Sequence, residues 1–231
     1  IWIYVYNIDT KELIWFYQTN AVVSMPAVLL DEKIACASQD GKLYVFQVSS
    51  RNPTIYTTFG APISAPMAAW GRTVLLPSRD YNVYAADVRS RDTLWKYPSG
   101  AEIRRPLTVL ENDVFVTPEE SGLHVLDAAS GTLKWLYPRA DELVAGSKDR
   151  VYATDKHGQL LILNRSNGRL LGTWDSHQYD FHVRNDSNDR LYMATKSGFI
   201  VCLHERENKD PVAHLKIEPP APAGMDIKKK A

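Results

Sequence analysis

Val83-Tyr84-Ala85-Ala86-Asp87-Val88-Arg89-Ser90-Arg91-Asp92-Thr93-Leu94-Trp95 is answered forty residues later by Leu123-His124-Val125-Leu126-Asp127-Ala128-Ala129-Ser130-Gly131-Thr132-Leu133-Lys134-Trp135. Both stretches read as strand, tight turn, strand. Asp87 and Asp127 close the first strand, where a short carboxylate can accept hydrogen bonds from turn amides. Gly131 supplies a residue that takes positive φ without a steric cost. Windows of the same kind open at Ile3, Leu43, Val83, Leu123, Leu160 and Ile200, spaced 40, 40, 40, 37 and 40. A period near forty, built of short β-prone runs, predicts a β-propeller.

The rest of each unit lies upstream. Nine residues before five of the windows come Ile34, Val74, Val114, Val151 and Leu191, each opening a short apolar run. Seventeen before them stand Pro26, Pro66, Pro106, Leu143 and Val183. Proline at the first residue of a strand sacrifices no ladder hydrogen bond. Each unit therefore has four short strands, one propeller blade. The expectation is an all-β propeller of four-stranded antiparallel blades over residues 1–217, five complete and a partial one at the N-terminus, within a ring of six to eight. The opening Ile1–Tyr6 reads as strand and lacks the features of a signal peptide. Residues 218–231, with Pro219, Pro220, Pro222 and Lys228–Lys230, read as a disordered tail.

Tryptophan recurs near the end of the unit. Trp15, Trp95 and Trp135 lie twelve residues into their windows and Trp174 fourteen. A large ring on an outer strand suits a wedge between neighbouring blades, because it buries much area at small entropy cost.

These residues carry a resemblance. Asp87, Asp127, Gly131, Trp95 and Trp135, with Asn164 and Gly168, match the repeat of the pyrroloquinoline-quinone-like β-propellers. In that family the pattern runs aromatic, small, leucine, aspartate, a Thr/Ser-Gly turn and tryptophan. The second window (Gln47, Arg51, Ile55) and the last (His204, Asn208, Val212) depart from it. WD-repeat proteins share the period, but Trp174-Asp175 is the only Trp-Asp dipeptide here and no Gly-His pair occurs. The resemblance implies either a quinone-dependent dehydrogenase or a protein-interaction scaffold of the outer-membrane assembly type. The enzymes are longer, seat the quinone under adjacent cysteines and hold calcium with Glu, Asn and Asp. This chain has only Cys36 and Cys202, which read as two buried free thiols. No catalytic, metal or cofactor residues are assigned. His177 and His182 flank a loop, but their spacing matches no zinc motif.

Composition narrows the partner. Lys plus Arg equals Asp plus Glu at 27 each, so the basic excess of a nucleic-acid binder is missing. No apolar run approaches the roughly 20 residues of a membrane-spanning helix. Hydrophobic residues at 45% are enough for a substantial core. A protein partner is the expectation. The resemblance implies an extracytoplasmic, periplasmic setting; a WD-like cytoplasmic adaptor and a dehydrogenase fragment are the alternatives.

The repeats supply an internal comparison. The two residues before the inner strands are Ser24-Met25, Ser64-Ala65, Arg104-Arg105, Asp141-Glu142 and Phe181-His182. Packing does not require this change from small to basic, acidic and aromatic, so the row is a candidate binding sector, with Asp180 beside it. Trp70 is a second candidate, since the matching turns hold acids and amides. An exposed tryptophan there would make a binding hot spot, and one folded over its own blade would be structural.

Overall fold

The computed structural model describes residues 1–30, 32–56, 61–90 and 92–214. The expected tail, 218–231, lies outside the described residues. Among these residues every regular element is a β-strand, and all pairing is antiparallel. An opening hairpin joins β1 (Trp2–Tyr6) to β2 (Leu13–Gln18). The first sheet runs β3 (Val28–Leu30), β4 (Lys33–Ala37), β5 (Leu43–Gln47), β6 (Thr54–Tyr56). The second runs β7 (Ala68–Trp70), β8 (Thr73–Ser78), β9 (Asn82–Asp87), β10 (Thr93–Pro98). The third runs β11 (Thr108–Leu110), β12 (Asp113–Val116), β13 (Leu123–Asp127), β14 (Leu133–Tyr137). The fourth runs β15 (Glu142–Gly146), β16 (Arg150–Thr154), β17 (Leu160–Asn164), β18 (Leu170–Trp174). The last has β19 (Phe181–Val183), β20 (Leu191–Ala194) and β21 (Ile200–Leu203). This is the meander of propeller blades, first strand innermost. β7 neighbours both β3 and β11, and Arg184 beyond β19 donates from Nη1 to the carbonyl of Pro106 at 3.3 Å.

The core lies between the sheets. Val74, Leu76 and Ala86 of the second sheet bury against Leu30, Leu43 and Val45 of the first. Leu75, Val83 and Ala85 bury against Val114, Val116 and Leu126 of the third. Middle strands buried on both faces account for their near-continuous apolar runs. Trp15 Nε1 donates to Val48 O (2.8 Å), Trp95 to Ala128 O (3.0 Å) and Trp135 to Arg165 O (2.7 Å). Each indole thus reaches from one unit into the β-turn of the next. Gly131 and Gly168 (both φ +71) face Trp95 and Trp135, and a Cβ on either would stand 2.5 Å from the ring. Glycine is demanded twice there, by conformation and by contact.

Three sequence expectations change. The inner strands begin two residues after Pro26, Pro66 and Pro106, since the proline itself belongs to the incoming crossover. Four sheets are four-stranded, and the last has three strands among the described residues. Pro211 brings no backbone donor, and the chain after it turns to the β19–β20 connection instead of β21. Val212 N donates to Asp189 Oδ1 (3.0 Å), Asp189 N to Val212 O (3.2 Å) and His214 N to Ser187 O (3.0 Å). Trp174 also moves. In the ladders Trp15 pairs with Val5, Trp95 with Ala85 and Trp135 with Val125, but Ile162 pairs with Gly172. Trp174 pairs with Leu160, in the row of Tyr17 and Tyr137, and packs on Tyr179 at 5.8 Å. The wedge row therefore holds glycine in the fourth sheet.

Candidate functional site

One face of the array is formed by two kinds of loop, the turns from second to third strand and the crossovers from each outer strand to the next inner one. Buried hydroxyls lock the two together. Ser99 Oγ donates to Tyr81 O (2.8 Å) or Ala101 O (2.7 Å), and Ser176 Oγ to Gly158 O (2.6 Å). Thr19 Oγ1 bonds Ala21 O within its own crossover (2.9 Å). A buried hydroxyl satisfied like this holds its loop in one position.

The crossover from third to fourth sheet is the short one. From Trp95 to Pro106 is eleven residues, whereas from Trp135 to the equivalent Leu143 is eight. Three missing residues leave a cleft of about 320 Å³ beside it. Its walls include Glu120, Pro138, Arg139, Asp141, Asp155 and His157. Arg139 reaches Asp155 at 3.7 Å, and Lys156 reaches Glu120 at 3.7 Å. Glu120 is held at φ +55, which turns its side chain outward at 86% exposure. These cations sit on long, loosely engaged stems. An exposed pair such as Lys156–Glu120 contributes about 0–1 kcal/mol, so exchanging it for a partner's charges costs little.

Three members of the predicted row, Arg105, Asp141 and Glu142, meet beside the same cleft, which Asp141 lines. Arg105 spans the crossover with two bonds, Nη1 to Glu142 Oε2 (2.9 Å) and Nη2 to Asp141 Oδ2. Arg104 instead pairs with Glu102 (2.9 Å) and Glu119 (3.0 Å) and is 63% exposed. His182 Nε2 meets Ser176 Oγ at 3.1 Å, and burial lowers its pKa against the opposing pull of Glu142. Arg105, Asp141 and Glu142 thus form one cluster, with His182 within electrostatic reach. Asp180 stands apart. Its Oδ2 accepts from Lys196 N (2.7 Å), and the backbone and side-chain bonds from Lys196 depress its pKa.

Trp70 is not part of a surface. It is 6% exposed at the end of β7, packed with Val114 and Val116 of the neighbouring sheet, in the turn on the opposite face. Flanked by the apolar pair Ala68-Ala69, the ring finds more area to bury against the next sheet than in water. Of the two cysteines Cys36 is buried, with its thiol pushed up to about 11 by desolvation. Cys202 is exposed, contrary to expectation, because alternation along β21 points it away from the fourth sheet. Among the described residues no three His, Cys, Asp or Glu side chains converge as a metal site would require. Nor is any helix there long and apolar enough to cross a membrane.

Reading the repeats singled out Arg105, Asp141 and Glu142 and passed over Glu120, Arg139, Asp155 and His157, which line the cleft. The signal was present in the one window spacing of 37 among forties, which marks the shortened crossover.

The fold recurs among solved structures. BamB from Moraxella catarrhalis superposes with a TM-score of 0.57 at 14% identity, over 84% of this chain and 80% of that one. The computationally designed Ika8 protein gives 0.66 at 17%, over 87% and 64%, and a chain of the mitotic checkpoint complex 0.65 at 11%, over 88% and 69%. At such identities the likeness is one of fold. No curated protein sequence matches at a significant level. The family profile described as outer membrane protein assembly factor BamB matches residues 2–210, nearly the whole repeat array. With its meander of four-stranded sheets and its Asp-turn-Trp repeat, this chain belongs to the BamB-like family of PQQ-repeat β-propellers.

Proposed function

We propose that this protein is a non-catalytic scaffold that holds a partner protein on its crossover face, over the cleft between the third and fourth sheets. The observation that carries the reading is the juxtaposition of the shortened crossover, the cleft it opens and the loosely paired charges around it. A rigid β-platform with loops pinned by buried hydroxyls presents such charges in a fixed pattern. Asp141 lines the cleft, Arg105 and Glu142 join it in one cluster, and Arg104, His182 and Asp180 would extend the contact. The mixed signs fit a polar segment carrying both charges better than a nucleic acid, in keeping with a formal net charge of zero. Membership in a family of assembly factors supports a binding role over catalysis, and an extracytoplasmic, periplasmic setting with a part in outer-membrane assembly goes with it.

The test is site-specific photo-crosslinking in the native host. A photoreactive residue at His157 or Arg139 should trap a discrete partner, and one at Asn167, in a third-to-fourth-strand turn of the opposite face, should not. Adducts from Asn167 alone, or equally from all three positions, would remove this face from consideration.

A further inference from the structure

The interfaces between units are not alike. In three of them an indole closes the outer end. It packs on Phe46 at 4.9 Å (Trp15), or with Leu126 (Trp95) or Leu163 (Trp135), and these three residues are fully buried. The interface between the fourth and last sheets has the same register but no indole at this position; Trp174, two residues on, packs in the same interface against Tyr179. Gly172 occupies the position, and a Cβ built there meets no heavy atom within 4 Å. Leu203, the counterpart of Leu126 and Leu163, is left half-buried, and Leu171 beside the gap is 51% exposed. The carbonyl that would receive the indole N–H, that of Glu205, accepts from the imidazole Nδ1 of its neighbour His204 at 2.8 Å. The Glu205 carboxylate crosses to the fourth sheet, accepting from Ser147 Oγ (2.6 Å) and Tyr152 OH (2.8 Å) and pairing with Arg150 (3.2 Å). A polar clasp thus holds this joint on the inside and leaves its outer end unfilled.

We propose that the slot beside Gly172 is a docking site for a tryptophan side chain carried by a partner protein. The slot continues an interface whose chemistry the same chain displays three times, and each time the occupant is an indole donating to the carbonyl five residues into the next window. An incoming tryptophan would cover Leu203 and Leu171 and take the Glu205 carbonyl from His204. A buried aromatic with one satisfied donor is the usual form of an interface hot spot. This site lies on the outer rim, away from the crossover face, and stands independently of the function proposed there.

The probe is N-acetyl-tryptophanamide, titrated into the isotope-labelled chain with N-acetyl-leucinamide as control. The expected result is saturable NMR shifts of the Gly172, Leu203 and Glu205 amides and of the His204 imidazole, with the tryptophan probe only. Gly172→Trp, which fills the slot from within, should weaken probe binding at least tenfold at Leu203, Glu205 and His204. Gly172→Leu serves the same purpose with a smaller side chain should the first variant not fold. Shifts that never saturate, that leucinamide reproduces, or that survive in the folded blocking variant would overturn the proposal. So would the same shifts arising with protein concentration alone, which would make a second copy the occupant.

Discussion

At the scale of single residues the fold is keyed by pairs, an indole from one unit and a glycine turn from the next. Trp135 buries its ring against Val151 and Leu163, donates to Arg165 O and lies on Gly168. Removing it leaves a cavity and an unpaired carbonyl together. Trp135→Ala should lower unfolding free energy by roughly 3–5 kcal/mol in a urea titration. A loss within about half a kcal/mol would mean that the indole is dispensable and the keying idea wrong. Nearby, Arg165 is 7% exposed and donates to Asp113 Oδ2 (2.7 Å), Ser147 O (2.8 Å), Leu110 O (2.8 Å) and Glu111 Oε2 (3.4 Å). Two carboxylates and two carbonyls offset the cost of burying this guanidinium. Asp127 serves the turn itself. Burial alone would raise its pKa, but bonds from Ser130 and Ala129 and the charge of Lys134 bring it below the ordinary carboxylate value.

At the scale of strands and sheets, the last sheet differs from its neighbours. It has three strands among the described residues, glycine stands at the wedge position of its interface, and Phe181, Val183 and Ile200 stand 52%, 49% and 70% exposed. Few buried contacts and an open edge place an element at the low-stability end of a fold. Amides of β20 should therefore exchange with deuterium at least tenfold faster than those of β8 and β13, which are buried on both faces. Equal protection would show that the Glu205 clasp holds as firmly as an indole. The strand positions were legible because period and apolar run coincide: Ile34, Val74, Val114, Val151 and Leu191 all fall in second strands. The misplacement of Trp174 has a physical reason. Counting twelve from Leu160 lands on Gly172, which the ladder pairs with Ile162 across a bulge, but a tryptophan two residues on masks the glycine in that position. The fourth strand of the last unit was illegible for another reason. Val212 is apolar enough to read as strand, and what draws it away is Asp189, distant in sequence. Of the site, the charge types at 104–105 and 141–142 were readable. That Arg105 spends its charge on both acids was not, since this needs the folded crossover.

At the scale of the whole molecule, two histidines link stability to pH. His124 is 3% exposed between the second and third sheets. Its Nε2 lies 3.2 Å from Ser121 O, which can only accept, so that nitrogen carries the proton and Nδ1 takes the hydroxyl of Tyr97 at 2.8 Å. Burial lowers the pKa of His124 below the ordinary 6.5, as it does for His182. The unfolded chain then binds protons that the folded state refuses, so stability falls as pH drops through about 6.5 towards the lowered folded values. Between pH 7.5 and 5.5 the urea midpoint should decline, and His124→Gln should flatten that decline whatever its effect at neutral pH. An unaltered slope would take His124 out of the linkage. Asp80 and Asp127, whose pKa values are lowered from 3.8, act in a more acidic window and do not confuse the result. The direction in which the indoles point has a further consequence. Each is borne by one unit and received by its successor. On a ribosome, a newly made leaflet would wait with its ring bare until some forty more residues had cleared the exit tunnel. Maturation would proceed vectorially, one leaflet behind synthesis, and a stalled nascent chain would display a tryptophan that the finished protein conceals.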